Sequence, residues 1–384
     1  MLRYLRYTFQ QKRYNGLEAA MKKIDLVYQT MLAELGQRCM DAAWTADFPP
    51  DGRFQRVVVK GKAYWYFDVP DGSGGKARRY VGSADDPEIA QRVKTHQQQK
   101  DDLLTRRRMV SSLTREGGMI APDTMSGNLV EALAAGGLFR LRGILIGTVA
   151  FQCYAGLLGV RLPAAAVLTG DADIAQDYAI SHEVEDTLPP IVDLLQHVDP
   201  SFRPVPHRSG SAASSAFQNA TGYRVEFLTS NRGSGEYIDQ PAKMPALGGA
   251  SADPLRFLDF LIRDPMRTVL LHKSGVPVTV PDPARYAVHK LIVATRRRTD
   301  GMSAIKREKD IRQAEILFEA LYETRRSSDF AISYDEAWKR GPAWQAALQQ
   351  ARRSMLSKAG VSALSQIIRQ GNQEIGLEGA EDHQ

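Results

Sequence analysis

The spacing of hydrophobic residues changes twice in the first third of the chain. Apolar residues recur at helical spacing from Leu17 to Leu35, which predicts an amphipathic helix. The period then becomes two in the segment RFQRVVVKGKAYWYFDVPDGSGGKARRYVG, which predicts three short strands joined by glycine-containing turns. From Asp85 to Arg115 a narrow apolar stripe runs through a polar sequence, which predicts a long surface helix. We therefore assign residues 1–117 to an accessory region, a helix plus a three-stranded β-meander.

Short helices and strands alternate from residue 118 to residue 282. Helices are predicted over 129–135, over 149–158 and in LPPIVDLLQHV. Strands are predicted in LFRLRGILI, AAAVLTGDADIA (one bent strand or a strand pair), RPVPH, SAFQN, YRVEFLTS and the hairpin TVLLHKSGVPVTV. Further helices are predicted over 283–298, 306–325, 333–356 and 362–369. The pattern indicates an α+β fold with a mixed sheet in 118–282 and a helical C-terminal region in 283–384.

Composition restricts the class of protein. The chain has 384 residues, 43% of them hydrophobic and 24% charged, as in ordinary soluble proteins. Its two cysteines lack the spacing of a zinc site or a disulfide scaffold. We expect a cytoplasmic protein, because no secretory signal or run of about 18 apolar residues is present. The net charge of +6 permits a polyanionic partner.

Three acidic residues fall on predicted strands. Asp171 and Asp173 are two residues apart, so their side chains point to the same face of an extended strand. Glu226 lies between apolar neighbours in YRVEFL. Three converging carboxylates can hold two divalent cations about 4 Å apart. The alternative is that each acid simply faces solvent.

A Gly-Thr pair follows the predicted strand LFRLRGILI. Gly147 permits a close backbone approach, and the N–H groups that open the next helix point towards any bound anion. Thr148 adds a hydroxyl donor. The pair therefore predicts a phosphate-binding turn, although Gly-Thr alone is a very common dipeptide.

Together, the Gly-Thr turn, the DxD strand and the later strand acid resemble the nucleotidyltransferase superfamily related to DNA polymerase β. The segment DPARYAVHKLIVATRRRTDGMSAIKREKDIRQAEILFEAL resembles minimal and abortive-infection-type members through Lys290-Leu291 and through Lys309-Asp310, which open a second helix there. The opening GLFRLRGILIGTVAF is similar to a bacterial nucleotidyltransferase-like family of undefined substrate. The resemblance covers roughly residues 138–322. This chain departs from the family in having Gly-Thr for Gly-Ser or Gly-Gly, a long spacing of 23 residues between Gly147 and Asp171, and Glu226 for the commoner Asp.

The resemblance implies that residues 118–282 form a nucleotidyltransferase catalytic domain. It implies that Asp171, Asp173 and Glu226 bind two Mg²⁺ ions, with Mn²⁺ as the alternative, and that Glu226 acts as the base. Gly147 and Thr148 would hold the phosphates. A nucleoside monophosphate would pass from an NTP such as ATP to a hydroxyl group, releasing pyrophosphate.

Basic residues cluster just after the predicted sheet. Between Arg285 and Arg312 there are nine Lys or Arg and three acids. A cationic wall of this kind can neutralise a triphosphate, and we assign Lys290, Arg296 and Lys309 to that role. The alternative is a solvated helix face with snorkelling side chains.

The identity of the acceptor is less constrained. RNA or tRNA is favoured because the helices are basic and the meander interleaves aromatic with basic residues, as in the nucleotidyltransferase toxins of toxin–antitoxin pairs that the chain resembles. A packed aromatic sheet with a charged outer face is the plainer interpretation of the meander. A protein side chain or a small molecule is an alternative acceptor, and a catalytically inactive nucleic-acid-binding protein is an alternative function. A partner encoded by a neighbouring gene is a further hypothesis, and the oligomeric state stays open.

Overall fold

A computed structural model describes residues 21–43, 52–59, 62–70, 76–163, 166, 170–183, 186–211, 214–231 and 240–376. The helices are α1 Leu26–Ala43, α2 Pro87–Arg115, α3 Thr124–Ala135, α4 Gly147–Leu158, α5 Tyr178–Glu183, α6 Ile191–Val198, α7 Leu258–Ile262, α8 Pro283–Arg296, α9 Gly301–Glu323, α10 Ser327–Lys339, α11 Pro342–Ser354 and α12 Lys358–Glu374. The strands are β1 Arg53–Val59, β2 Lys62–Pro70, β3 Lys76–Ser83, β4 Ile144–Ile146, β5 Asp171–Ala175, β6 Arg203–Pro204, β7 Ala216–Gln218, β8 Arg224–Ser230, β9 Ala242–Lys243, β10 Ser251–Leu255, β11 Met266–Leu270 and β12 Val276–Val280. The predicted α+β class is confirmed.

The central sheet is mixed. Its main strand order is β4-β5-β8-β10-β9, and β7 pairs with β8 and with the short strand β6. Strands β5, β8 and β10 are parallel, whereas β4 pairs antiparallel with β5. In this register Asp173 lies opposite Ile146 on one side and Glu226 on the other. The sheet therefore brings the end of β4 and the acids of β5 and β8 together.

Successive side chains of β5 and β8 point to opposite faces of the sheet, and the two faces differ in character. Ala172, Ile174, Val225 and Phe227 pack in one hydrophobic cluster with residues of α3 and α6. Asp171, Asp173 and Glu226 occupy the alternate positions, which face the other way. The sequence pattern thus places the acids on the sheet face away from that cluster.

The helical C-terminal region shares a core with the rest of the molecule. One hydrophobic cluster contains residues of β4, α4 and the β11–β12 hairpin as well as of α8, α9, α10, α11 and α12. This packed core continues across residue 282, the predicted boundary between the sheet domain and the helical region. The predicted domain bounds themselves stay predictions.

The N-terminal region consists of a helix pair and a small sheet. The strands β1, β2 and β3 form the predicted antiparallel meander. Residues of α1 and α2 pack with Val269 and Leu271 of the β11 segment. Among the described residues no helix is long and apolar enough to cross a bilayer.

Several predicted element bounds are wrong. The first helix begins at Leu26 and continues past Leu35 to Ala43, and only the last three residues of LFRLRGILI are a strand. The helix predicted over 333–356 is two helices, since Gly341 has φ +112° and Pro342 opens α11. Sequence reasoning also missed α5, α7, β9 and β10. Parts of AAAVLTGDADIA and the predicted C-terminal tail lie outside the described residues.

Candidate active site

The Gly-Thr turn lies against the acids of β5. Gly147 begins α4 directly after β4 and has φ +66°, a conformation that residues with a Cβ rarely adopt. A Cβ atom at this position would lie 2.2 Å from Oδ2 of Asp173. Glycine is therefore required here both by the backbone conformation and by the close approach of the carboxylate.

The turn is supported from α8. The hydroxyl of Tyr286 donates to the carbonyl oxygen of Gly147 over 2.8 Å and lies 3.0 Å from Oε1 of Gln313 on α9. Tyr286 and Gln313 are buried. Thr148 is also buried, and the N-cap residue Ile146 offers no side-chain hydrogen bond to the first turn of α4. The backbone N–H groups that open α4 therefore have no side-chain cap from that residue.

The three acids form a cluster of negative charge on the sheet. Asp173 and Glu226 are direct partners in the parallel register of β5 and β8, and Asp171 precedes Asp173 by two residues on the same face. Burial, followed by the negative charges of Asp171 and Glu226, raises the pKa of Asp173 to about 7, against the opposing charges of Lys290 and Lys306. Binding of a further cation next to these carboxylates is therefore electrostatically favourable.

Two cationic side chains already contact this cluster. Nζ of Lys306 on α9 lies 2.8 Å from Oδ2 of Asp171. Nε of Arg224 lies 2.5 Å from Oε1 of Glu226 on the same strand. Burial works against the charge of Lys306, but its hydrogen bond to Asp171 and the nearby negative charges raise its pKa above the usual value. Lys306 therefore stays protonated at neutral pH.

Lys290 is held by a buried ion pair next to the acids. Its Nζ donates to Oδ1 of Asp310 over 2.6 Å, and Nε of Arg297 donates to Oδ2 of the same carboxylate over 2.5 Å. Asp310 is only 2% exposed. Lys290 is close enough for its charge to lower the pKa of Asp173. In this structure its ammonium group nevertheless forms its hydrogen bond with Asp310.

Lys309 and Arg296, the other two residues predicted to bind the triphosphate, lie in different surroundings. Lys309 interacts with Asp171 and Asp310, and burial lowers its pKa. The exposed guanidinium of Arg296 instead lies 5.4 Å from the ring centroid of Phe257. Lys309 and Asp310 also do not open a helix as predicted, because α9 begins at Gly301, two turns earlier.

Most of the predicted site residues thus lie together, and three residues with roles at the site were missed. Gly147, Asp171, Asp173 and Glu226 meet at the sheet, with Lys290 and Lys309 near them. Sequence reasoning did not assign Lys306, Arg224 or Tyr286. A signal existed for Lys306, because it precedes Asp310 and Gln313 by four and seven residues, so all three lie on one face of α9.

The chemistry of these residues fits a divalent cation. Carboxylate oxygens are the ligands that Mg²⁺ prefers, and burial together with the charges of Asp171 and Glu226 raises the pKa of Asp173. As arranged here, the described residues contain no group of three or more His, Cys, Asp or Glu side chains able to hold a metal ion. Lys306 and Arg224 contact two of the three acids instead.

Comparison with known proteins identifies the class of protein. A family model described as nucleotidyltransferase matches residues 124–339. The match covers more than half of the chain and includes every predicted site residue. The chain belongs to this nucleotidyltransferase family. No curated protein and no solved structure matches it significantly.

Proposed function

We propose that this protein is a divalent-metal-dependent nucleotidyltransferase that transfers a nucleoside monophosphate from an NTP to a hydroxyl group, with RNA as the acceptor. Membership in the nucleotidyltransferase family supports the transferase class. The observation that carries the proposal is the approach of Gly147 to Asp173, where a Cβ atom would come within 2.2 Å of the carboxylate. This contact joins a turn suited to phosphate with an acid suited to a metal ion.

Asp171, Asp173 and Glu226 are the residues that would hold two Mg²⁺ ions, or Mn²⁺ in their place. When bound, such ions lower the pKa of the attacking hydroxyl and neutralise the charge on the triphosphate. The raised pKa of Asp173 supports this assignment, because burial and the charges of Asp171 and Glu226 all disfavour its ionised form unless a bound cation compensates.

The protein's own residues position the reactants and move the proton. The backbone N–H groups of Gly147 and Thr148 and the Thr148 hydroxyl bind phosphate oxygens. The acceptor hydroxyl oxygen attacks the α-phosphorus as its proton passes to Glu226, and the bond from the α-phosphorus to the bridging oxygen breaks to release pyrophosphate. Lys306, which now contacts Asp171, and Lys309 are placed to offset charge on the leaving pyrophosphate.

The transfer reaction is tested with purified protein, Mg²⁺, total cellular RNA and each NTP labelled at the α-phosphate. We expect label on RNA with the wild type and none with Asp171→Asn/Asp173→Asn, while circular dichroism shows an unchanged fold. Asp193→Asn is a matched control, because Asp193 is an exposed acid on α6, a helix packed on the other face of the sheet. It should transfer label like the wild type.

The other outcomes separate the alternatives. Label on the protein itself would make a protein side chain the acceptor and contradict the RNA assignment. Absence of both label transfer and NTP binding would overturn the catalytic proposal and favour an inactive nucleic-acid-binding protein. Equal transfer by the double variant would show that these acids are not the metal ligands.

A further inference from the structure

The β-meander has two unlike faces. Phe54 and Phe67 are opposite each other in the register of β1 and β2, and their rings lie 5.1 and 5.2 Å from the ring of His96 on α2. Phe67 and His96 are buried. The face that carries Phe54 and Phe67 is therefore the inner face, fixed against α2.

The opposite, outer face carries two tyrosines on one strand. Tyr64 and Tyr66 alternate with Phe67 along β2 and pair with Val57 and Gln55 of β1. Both tyrosines are partly exposed, unlike Phe67. Residues i and i+2 of a strand are about 7 Å apart on one face, a spacing that lets two unstacked bases lie on neighbouring rings.

The charge of the meander suits a polyanion. Residues 51–83 contain seven Lys or Arg and three acids. One of these acids, Asp68, is only 4% exposed, and in the strand register it lies between Arg53 and Arg78. Arg53 is exposed at the end of the outer face. Arg53 therefore offers a positive charge to phosphates on the face that carries the tyrosines.

We infer that the outer face of the meander, defined by Arg53, Gln55, Tyr64 and Tyr66, binds single-stranded RNA by stacking bases on the two tyrosines. Bases in a duplex are stacked on one another and cannot reach tyrosine rings on a sheet, so the single strand is the form that fits. This inference rests on the proposed RNA acceptor. It assigns the recognition of that acceptor to a surface outside the region matched by the family model.

Binding is tested without NTP, so that the result does not depend on catalysis. The full-length protein is titrated into a fluorescein-labelled 12-residue oligouridine, and anisotropy is measured at several salt concentrations. We expect Tyr64→Leu/Tyr66→Leu to weaken binding at least about tenfold, because the variant lacks both aromatic surfaces on which the bases stack. Tyr64→Phe/Tyr66→Phe keeps both aromatic faces and should bind nearly as well as the wild type.

Arg53→Glu is a second variant that does not depend on the tyrosines, and its exposed position makes misfolding of the sheet a minor concern. It should weaken RNA binding. The slope of the logarithm of the binding constant against the logarithm of the salt concentration should become shallower by about 0.7 per lost phosphate contact. Asp171→Asn/Asp173→Asn should bind RNA like the wild type. Binding without transfer would thus refute only the proposed catalysis.

Three results would overturn the inference. The first is wild-type affinity in a folded Tyr64→Leu/Tyr66→Leu variant. The second is equal competition by a duplex of the same length, which would mean that the surface reads phosphates alone. The third is transfer of label to RNA by the wild type with unchanged transfer in the leucine variant, which would place acceptor recognition elsewhere.

Discussion

Two aspartates near Lys290, the partly buried Asp173 and the buried Asp310, show how differently this fold treats a carboxylate. Asp310 on α9 accepts hydrogen bonds from Lys290 and Arg297, and these cations lower its pKa despite its burial. Asp173 on β5 has no hydrogen-bond or ion-pair partner among the residues that the structure describes, and its pKa is raised to about 7. Both acids lie close enough to Lys290 for its charge to lower their pKa values, yet only Asp310 forms hydrogen bonds with described residues.

The difference indicates that Asp310 has a structural role, whereas Asp173 belongs to the candidate site. A buried charge that the fold itself pairs contributes to the uniqueness of the packing or to its stability. A partly buried charge that the fold leaves without a partner also has a free-energy cost, and such groups concentrate where a ligand supplies the missing partner. The contrast therefore supports a site at Asp173, beside Gly147, and a structural role for Asp310.

The same substitution at the two positions is expected to have opposite effects on stability. Asp310→Asn leaves Lys290 and Arg297 without their carboxylate and should lower the free energy of unfolding by about 3–5 kcal/mol. Asp173→Asn removes a like charge from the cluster with Asp171 and Glu226, so stability should be unchanged or increased. Urea denaturation of both variants at pH 8 measures the difference.

A hydrophobic pair provides the control for the Asp310 variant. Lys290→Met/Asp310→Leu removes both buried charges, and Arg297, whose side chain is 30% exposed, can turn its charge to solvent. This variant should recover most of the lost stability, because the energetic penalty arises from a buried partner left unpaired. If Asp310→Asn is as stable as the wild type, the ion pair is not structural. The contrast between the two aspartates would then fail.

A smaller effect is expected at Lys306, the cation that contacts Asp171 at 2.8 Å. Lys306→Met removes the competing positive charge and should raise the affinity of the free protein for Mn²⁺ several-fold, while it lowers the affinity for NTP. Lys306→Arg retains the charge and should stay closer to the wild type in both measurements. Calorimetric titration with Mn²⁺ alone, and then with NTP, separates the two effects.

Unchanged Mn²⁺ affinity in Lys306→Met would show that Lys306 and a metal ion do not share Asp171. Lys309→Met is a useful comparison, because Lys309 also interacts with Asp171 but is influenced by Lys290 and Asp310 as well. A larger effect at Lys309 than at Lys306 would contradict the order of the contacts seen here.

Local spacing was enough to predict much of the site. The two-residue period of a strand placed Asp171 and Asp173 on one face, and the apolar neighbours of Glu226 marked a strand. The parallel pairing that sets Asp173 against Glu226 is a long-range property of the sheet. The single-sequence pattern indicated a mixed sheet but contained no register.

The sequence could not predict which residue each basic side chain contacts. Counting charges put Lys290, Arg296 and Lys309 in one cationic wall. In the structure Lys290 pairs with Asp310 of α9, whereas Arg296 lies over the ring of Phe257. The helix α9 also begins five residues earlier than predicted, at Gly301, and Lys306 in its second turn contacts Asp171. Ion pairs between distant segments depend on where each helix starts and how it rotates, which periodicity fixes only loosely.

A pH dependence of stability is expected from His289, next to Lys290 on α8. Burial and the charge of Lys290 lower the pKa of His289 to about 3 in the folded protein, whereas the unfolded chain titrates near 6.5. Below pH 6.5 the unfolded chain binds a proton that the folded protein does not, so stability falls as the pH drops from 6.5 towards 3, by up to about 1.4 kcal/mol per pH unit. His289→Gln should lack this contribution. The test is the difference in unfolding free energy between the two proteins from pH 8 to pH 5, since contributions from other groups largely cancel in that difference. Parallel curves would mean that His289 is accessible enough to titrate normally, which would contradict the tight packing around the Lys290–Asp310 pair.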